Sequence, residues 1–296
     1  MPLNESVTDL YHSRFRQVLE YIDRHLDEDL TIDRLSHLAA FSKYHFHRQF
    51  SELFGISLYK YIQLTRLKRA SHQLAFRDGM SIVEIALASG YEHHESFSRA
   101  FKKSIGQTPS EFRANPQWTT WHSLYHPLRH LRSKHMKPDH PLDQVKIIQF
   151  QETRVAVLEH RGDPKLIGDS VRQFIAWRKQ NHLPPNISDT FNILYDNPAE
   201  TAPEDFRLDL CASIDRAIPE NTFGIVEKTI PGGRCAVLRY IGDDANLGDS
   251  ITALYSTWLP QSGEELRDFP LFLQRVKFFP DVPEHETTID VFLPLQ

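Results

Sequence analysis

Over the first 114 residues, apolar side chains recur at spacings of three and four, the period of helices buried along one face. Leu10, Phe15, Val18, Leu19 and Ile22 predict a supporting helix over 9–26. Thr31 and Ser42 are placed to cap the next two. Further on, Ser81 and Glu84 form a capping box ahead of Ile82, Ile85 and Ala86, and Gly90 ends that helix. Phe97, Ala100 and Phe101 predict another, stopped at Gly106, and Thr108-Pro109-Ser110-Glu111 opens a third with proline at its first position. The pattern is a repeat. Ile32, Leu35 and Phe41 stand 50 positions before Ile82, Ile85 and Tyr91; Phe46, Arg48, Phe50, Gly55 and Ser57 stand 51 before Phe97, Arg99, Phe101, Gly106 and Thr108. Each copy is two short helices joined by a tight turn, the shape of a helix-turn-helix. From Ser57 to about Arg77 there is neither proline nor glycine, and Tyr61, Leu64, Leu67 and Leu74 keep helical spacing. Such a helix is a rod roughly 30 Å long. Successive major-groove faces lie about 34 Å apart, so it can present both second helices to one side of a duplex.

The period changes in the second half. VAVLEHRGDPKLIGDSVRQFIAW from 155 and CAVLRYIGDDANLGDSITALYSTW from 235 repeat with an offset of 80. Each reads as an alternating strand, a Gly-Asp turn, a Gly-Asp-Ser helix start and an amphipathic helix. Asp169 and Asp249 suit the helix N-terminus both by dipole and as caps. FNILYDNP and FRLDLCASI follow the first copy as strands, and FLQRVKFFP and TTIDVFLPL the second. The fold class expected is therefore all-α tandem helix-turn-helix units followed by an α+β domain of two pseudo-symmetric halves, antiparallel strands covered by helices. Gly162-Asp163 lacks a GxGxxG or GK[ST] context, which excludes nucleotide binding there. Residues 115–144 read as a linker, with Pro116, Pro127, Pro138 and Pro141 interrupting any long helix. Trp118, Trp121 and Leu124 would pin it onto one domain.

Charge sharpens this division. Residues 34–113 carry 12 Lys/Arg against 6 Asp/Glu, whereas 147–296 carry 14 against 23. The net −5 of the 296-residue chain thus hides a basic segment suited to phosphates and an acidic one that is not. No apolar run approaches the length of a membrane helix, and the N-terminal stretch lacks the basic flank of a secretory signal. Cys211 and Cys235 sit in no metal-ligand spacing and fit a reducing cytoplasm. His122, His126, His130, His135 and His140 crowd the linker, but Pro127 breaks their register and neither cysteine nor carboxylate joins them. No metal and no cofactor is expected. Without a heptad pattern, a monomer reading an asymmetric site is favoured.

Residues 10–114, through LTIDRLSHLAAFSKYHFHRQFSELFGISLYKYIQLTRLKRA and SIVEIALASGYEHHESFSRAFKKSIGQTPSEFR, resemble the AraC/XylS-type DNA-binding domain. The resemblance places helix-turn-helix units at about 31–55 and 81–106, joined by a helix. It implies base contacts from Tyr44, His47 and Arg48, then His94, Glu95, Ser96, Ser98 and Arg99. Arginine can fork onto guanine, tyrosine and histidine can pack on base edges or bond phosphates, and glutamate can accept from a cytosine amine. Arg66, Lys68, Arg69, Lys102 and Lys103 are the candidates for phosphate contacts, which fix register without reading sequence.

Residues 145–296 resemble the GyrI-like, effector-binding domain, on EKTIPGGRCAVLRYIGDDANLGDSITALYSTWL, PLFLQRVKFFPDVP and IDVFLPL. The domain order is similar to that of Rob-type regulators. In that family a groove between the halves takes small apolar or cationic molecules, which implies Trp177, Tyr255, Trp258, Phe272 and Gln274 as effector-binding residues. At helical spacing such aromatics are more commonly core. Where the family carries a glutamate six positions before a proline, this chain has Gln274, with Asn192 at the corresponding place in the first half. Glutamine can hydrogen-bond but neither neutralises a cation nor acts as a base. The function expected is a sequence-specific transcriptional regulator, an activator, with double-stranded DNA, a small-molecule effector and RNA polymerase as partners, and no membrane. The alternatives are a second domain that hydrolyses a small electrophile, against which Gln274 argues, or one that serves as a protein-interaction module.

Overall fold

A computed structural model describes residues 7–136 and 142–296, the first four of them as helix backbone alone. Pro138, His140 and Pro141, and the side chain of Leu10, lie outside the described residues. The chain forms two compact units, Met1–Lys137 with Pro283–His285, and Pro138–Val282 with Glu286–Gln296.

The first unit is helical: α1 (Val7–Arg24), α2 (Ile32–Leu38), α3 (Lys43–Phe54), α4 (Leu58–Phe76), α5 (Ile82–Ala88), α6 (His94–Ile105), α7 (Pro109–Ala114) and α8 (Trp118–His135). Local chemistry sets most of the boundaries. The hydroxyls of Thr31, Ser42 and Ser57 accept the backbone N–H three residues on, at the starts of α2, α3 and α4. Ser81/Glu84 and Thr108/Glu111 form reciprocal capping boxes on α5 and α7. Gly55 and Gly106 close α3 and α6 in the left-handed conformation. One core joins all of this, with Phe15, Phe46, Phe50, Tyr61, Leu67, Ile85, Phe97, Phe101 and Phe112 almost wholly buried.

α8 departs from the linker expected at 115–144. It runs 18 residues, passes through Pro127, and packs Trp118, Trp121, Tyr125, Leu128 and Leu131 into the core. Pro127 is exposed, so the Ser123 carbonyl that loses its donor faces water rather than a dry interior. A buried ion pair fastens the far end. The Arg132 guanidinium donates to both Asp23 oxygens at 3.0 and 2.7 Å and to the Tyr61 hydroxyl at 2.9 Å. Burial raises the Asp23 pKa, but the Arg132 charge together with hydrogen bonds from His285 and Arg132 outweighs it and holds the carboxyl down at about 2.

The second unit is one antiparallel sheet in the order β1-β6-β8-β7-β3-β4-β2-β5. Its strands are β1 (Lys146–Phe150), β2 (Thr153–Arg161), β3 (Thr190–Leu194), β4 (Arg207–Ser213), β5 (Val226–Ile230), β6 (Gly233–Ile241), β7 (Phe272–Lys277) and β8 (Thr288–Pro294). Each half contributes its opening strand to the other: β1 pairs with β6, and β5 with β2. β1 and β5 are additions to the strands read from the sequence. α9 (Ile167–Gln180) covers β2 and β4 through Phe174 and Trp177. α10 (Leu247–Ala253), a π-turn at Leu254–Trp258 and α11 (Leu259–Ser262) cover β6, β7 and β8. Asp169 and Asp249 lie in the first turns of α9 and α10, not at the caps, which are Leu166 and Asn246. The dipole argument for them stands. The capping argument fails because a short 3₁₀ turn at Pro164–Leu166 and a turn at Asp243–Asn246 start each helix early.

Candidate nucleic-acid interface and effector groove

α3 and α6 are rooted and exposed in the same way. On α3, Phe46, Phe50 and Phe54 are buried, while Tyr44 is 80% exposed and His47 and Arg48 are also exposed. On α6, Phe97, Phe101 and Ile105 are buried, His94, Glu95 and Arg99 are exposed, and Ser96 and Ser98 are half-buried. The outward side chains form a consistent strip because apolar positions at i, i+4 fix the roll of each helix. Arg99 donates to the Ser96 hydroxyl at 3.1 Å, and His94 Nδ1 lies 3.4 Å from a Glu95 oxygen, so four of these groups are oriented in two pairs. Lys43 joins the strip, its ammonium 5.7 Å from the Tyr44 ring centroid. Its place at the first helical residue, next to Tyr44, was the available signal.

The two helix pairs turn at equivalent positions. Gly90 has φ +71°, and Ala40, its counterpart in the first repeat, has φ +55°. Lys102 and Lys103 are exposed in the last turns of α6. Arg66, Lys68 and Arg69, also expected on phosphates, are differently placed. Arg66 donates from Nε to the Leu26 carbonyl at 2.8 Å and from Nη2 to that of Glu28 at 2.7 Å. Arg69 donates to the Ala88 carbonyl, and Lys68 is buried with its ammonium on the Glu284 carboxylate, within the same unit. These three cations serve the fold, because the groups they satisfy are backbone carbonyls and a buried carboxylate. Burial lowers the pKa of both Arg66 and Arg69.

In the second unit, adjacent strand residues point to opposite faces, and this separates the five expected effector residues. Trp177 is buried against Ala156, Leu158 and Leu210 beneath α9, stacked on Phe174. Trp258 packs on the helical side of the other half, and Tyr255, on the π-turn, is partly exposed. Phe272 lies on the opposite face, which we call the groove face, with Phe150, Phe191 and Phe292. Its ring stacks on Phe292 at 4.8 Å and meets Phe150 edge-on at 4.9 Å. Gln274 is two residues along β7 on that same face, between Phe191 and Asp290 of the neighbouring strands.

The register at the centre also corrects the pairing of Gln274 with Asn192. Phe191 pairs with Gln274, and Ile193 with Phe272. A two-fold axis between β3 and β7 therefore exchanges Phe191 with Phe272 and Ile193 with Gln274. Asn192 points to the helical side, where its Oδ1 accepts from Arg275 at 2.7 Å. Counting back from a proline misassigns it by one residue, and one residue in a strand is a change of face.

Polar groups gather at both ends of the groove face. Asp209 is fully buried and accepts from Lys228 at 2.7 Å, Tyr195 at 2.9 Å and Arg161 at 3.4 Å. Lys228 also reaches Glu159 at 2.5 Å. Burial lowers the Lys228 pKa, but hydrogen bonds to Asp209 and Glu159 override it and hold the ammonium above its usual value. At the other end Arg239 binds Asp290 through two bonds of 2.7 Å, which raise the pKa of the guanidinium. Burial pushes up the Cys211 and Cys235 thiols, both on this face, so neither is a poised nucleophile. Among the described residues no three metal-ligating side chains converge, and no helix is long and apolar enough to cross a membrane.

Residues 143–296 match the family described as GyrI-like small molecule binding domain, and residues 35–115 match one described as helix-turn-helix domain. The chain is 40% identical over 152 residues to the probable transcriptional regulator YgiV of Escherichia coli K12, which is 51% of this chain and 95% of YgiV. It is 33% identical over 114 residues to the right origin-binding protein of the same organism, 38% of this chain and 39% of that protein. The transcriptional regulator Rob of Salmonella typhimurium is 32% identical over the same length and the same shares. Among solved structures, EcmrR in an EcmrR–DNA complex covers 90% of this chain and 98% of its own at 14% identity, with a TM-score of 0.44. The chain belongs to the GyrI-like small molecule binding family, in the branch of transcriptional regulators that carry that domain behind an AraC-type helix-turn-helix.

Proposed function

We propose that the regulator reads duplex DNA through the exposed strips of α3 and α6, and that a small molecule on the groove face of its second unit sets the output. One observation carries the first part: Arg48 and Arg99, 51 residues apart in the repeat, are both exposed on helices rooted by equivalent buried phenylalanines. The helix between the pairs has 19 residues, about 28 Å by its rise, close to the spacing of successive major-groove faces. Arg48 and Arg99 would fork onto guanines, Tyr44, His47 and His94 would pack on base edges or phosphates, and Glu95, Ser96 and Ser98 would complete the second strip. Lys102 and Lys103 would meet phosphates. The observed roles of Arg66, Lys68 and Arg69 remove them from that set.

Membership in a family of transcriptional regulators sets the hydrolase alternative aside. For the effector, the groove face of Phe272 and Gln274 is the favoured site, while Trp177, Trp258 and Tyr255 support it from the helical side. RNA polymerase is the partner through which an activator would act.

The test is genomic binding by the intact protein, then affinity for the recovered site against salt. A discrete asymmetric motif with two boxes about one helical turn apart supports the reading. Arg48→Ala and Arg99→Ala should each cost about 1–3 kcal/mol at one base pair, and Lys102→Ala should weaken every sequence alike. Normal operator binding by both arginine variants would overturn the assignment of the recognition strips.

A further inference from the structure

The turn between β7 and β8 does not stay with its strands. Pro283–His285 belong to the helical unit, while Val282 before them and Glu286 after them belong to the sheet unit. The internal repeat shows what is unusual here. Pro203-Glu204 stands 80 positions before Pro283-Glu284, and a short 3₁₀ turn follows into β4 as one follows into β8, yet Pro203 and Glu204 are exposed. Both turns are fastened alike: the Gly162 N–H donates to the Phe206 carbonyl and the Gly242 N–H to that of Thr287, each at 3.0 Å. The Thr287 hydroxyl also donates to the Gly242 carbonyl, and the Val282 N–H to that of Phe278 at 3.0 Å, so the second turn is rooted on both sides.

Within the helical unit the segment completes a buried set of charges. Lys68 of α4 and Arg132 of α8 are 5% and 1% exposed. Asp23 of α1 is one carboxylate for them, and Glu284 is a second: it accepts from the Lys68 ammonium, and Arg132 Nε lies 3.4 Å away. His285 Nδ1 lies 3.2 Å from Asp23. Burial raises the Glu284 pKa, but the charges of Lys68 and Arg132 override it and hold the carboxyl below its ordinary value. With Glu284 seated, two cations face two carboxylates. Without it they share one, and a buried cation stripped of a partner is strongly destabilising. The segment DVPEHET is itself largely polar, so on leaving it loses ion pairing rather than apolar burial, and water solvates it. Such a contact can be made and broken.

We propose that Glu284 and His285 form a latch through which the state of β7 and β8 reaches the helical unit. Seated, Glu284 neutralises Lys68 and Arg132 and stiffens α4 and α8; withdrawn, it loosens α4, the helix that spaces α3 from α6. Gln274 and Asp290 are paired on the two strands that flank the latch, so a ligand on the groove face would act on the DNA-reading helices by this route. That last step rests on the reading of the groove face as the small-molecule site; the latch stands without it.

Hydrogen exchange of the full chain, read peptide by peptide in a mass spectrometer, tests the latch with no ligand present. Val291→Ala opens a cavity on β8 in the cluster beneath α10 and should speed exchange in α4 and α8 about three-fold or more. Phe174→Leu opens one beneath α9, on β2 and β4, and should leave both helices unchanged. Glu284→Gln should itself speed their exchange, and on that background Val291→Ala should add nothing; Glu204→Gln, the same change in the exposed counterpart, should have no effect. Ile289→Val, a smaller cavity on the same strand, repeats the test should Val291→Ala fold poorly. If the β8 variants leave α4 and α8 unchanged, if Phe174→Leu reaches them equally, or if the β8 variants still act without the Glu284 charge, the latch falls. None of these results touches the small-molecule reading, which ligand titration decides separately.

Discussion

Replacing Gly90 by alanine should cost the helical unit far more than a methyl group at a turn suggests. Gly90 has φ +71°, where an alanine pays about 1 kcal/mol or somewhat more in backbone strain. A Cβ built there would stand 2.6 Å from the Leu26 carbonyl oxygen and 2.5 Å from Arg66 Nη2. The Leu26 carbonyl is backbone and must shift with its segment, and the guanidinium, which holds the Leu26 and Glu28 carbonyls by bonds of 2.8 and 2.7 Å, must swing away as well. Losing one charge-assisted bond costs about 1.5–3 kcal/mol. The expected total is about 3–5 kcal/mol. Urea unfolding followed by helical circular dichroism would measure it. Arg66→Ala supplies the control: on the Gly90→Ala background it should cost much less than alone, since the methyl has already displaced the guanidinium. The reverse change at the equivalent turn, Ala40→Gly, relieves a φ of +55° and should leave stability unchanged or raise it by up to about 1 kcal/mol. A Gly90→Ala loss below about 1 kcal/mol, or full additivity with Arg66→Ala, would refute the reasoning.

Asp23→Asn should destabilise the helical unit by about 1.5–3 kcal/mol in urea melts, because it removes the carboxylate that takes two bonds from buried Arg132 and leaves it only Glu284, at 3.4 Å, as counter-charge. The native pair should also show in pH. The folded-state pKa of Asp23, about 2, lies below the ordinary 3.8, so its stabilisation is present above pH 4 and is lost as pH falls towards 2. Asp23→Asn should flatten that part of the stability profile; an unchanged acid limb would refute the assignment. Pro127→Ala should stabilise by about 1–3 kcal/mol, since it restores a donor to the Ser123 carbonyl and removes a helix-interior proline, and thermal melts would detect it. Lys102→Ala should lower the slope of log affinity against log salt by about 1, whereas Arg66→Ala should act through stability and leave the slope of the folded protein unchanged.

What could be read from the chain and what could not divide by the range of the interaction. Ser42, Ser57, Ser81 and Thr108 begin helices where the sequence puts them, since a cap is closed by a backbone N–H three residues away. The repeat registers the two helix pairs, and buried phenylalanines at equivalent places fix which side chains face out. Arg66 and Arg69 were read as surface cations because nothing local distinguishes a lysine or arginine bound for phosphate from one that satisfies a carbonyl 40 or 19 residues away. Pro127 was read as a break because its cost is local, while its compensation, Tyr125, Leu128, Leu131 and the Asp23–Arg132 pair, is assembled by tertiary contact. In the second unit the helices and six of the eight strands are visible in the alternation. β1 and β5 are not, because each pairs across to the other half.

The same distinction governs the effector residues. Trp177, Trp258 and Phe272 have equal claims as aromatics in a sequence, and only the sheet separates them into opposite faces. Once separated, their chemistry differs. A tryptophan stacked on Phe174 beneath a helix can transmit a shift of α9 but cannot touch a ligand on the far side of the strands. Gln274, half-buried beside the two-fold axis, can touch it, whereas Phe272 is wholly buried beneath that face; the axis makes the contrast between halves informative. It relates Asp209 to Asp290 as carboxylates kept in both halves, while Glu159 on one side faces Arg239 on the other. Symmetry retained the buried charge and lost the outward one. Selection for folding alone accounts for the first, because a buried carboxylate needs its cation. It does not require the second, so the outward position, Arg239 in one half and Glu159 in the other, is where the halves are free to differ according to what they bind.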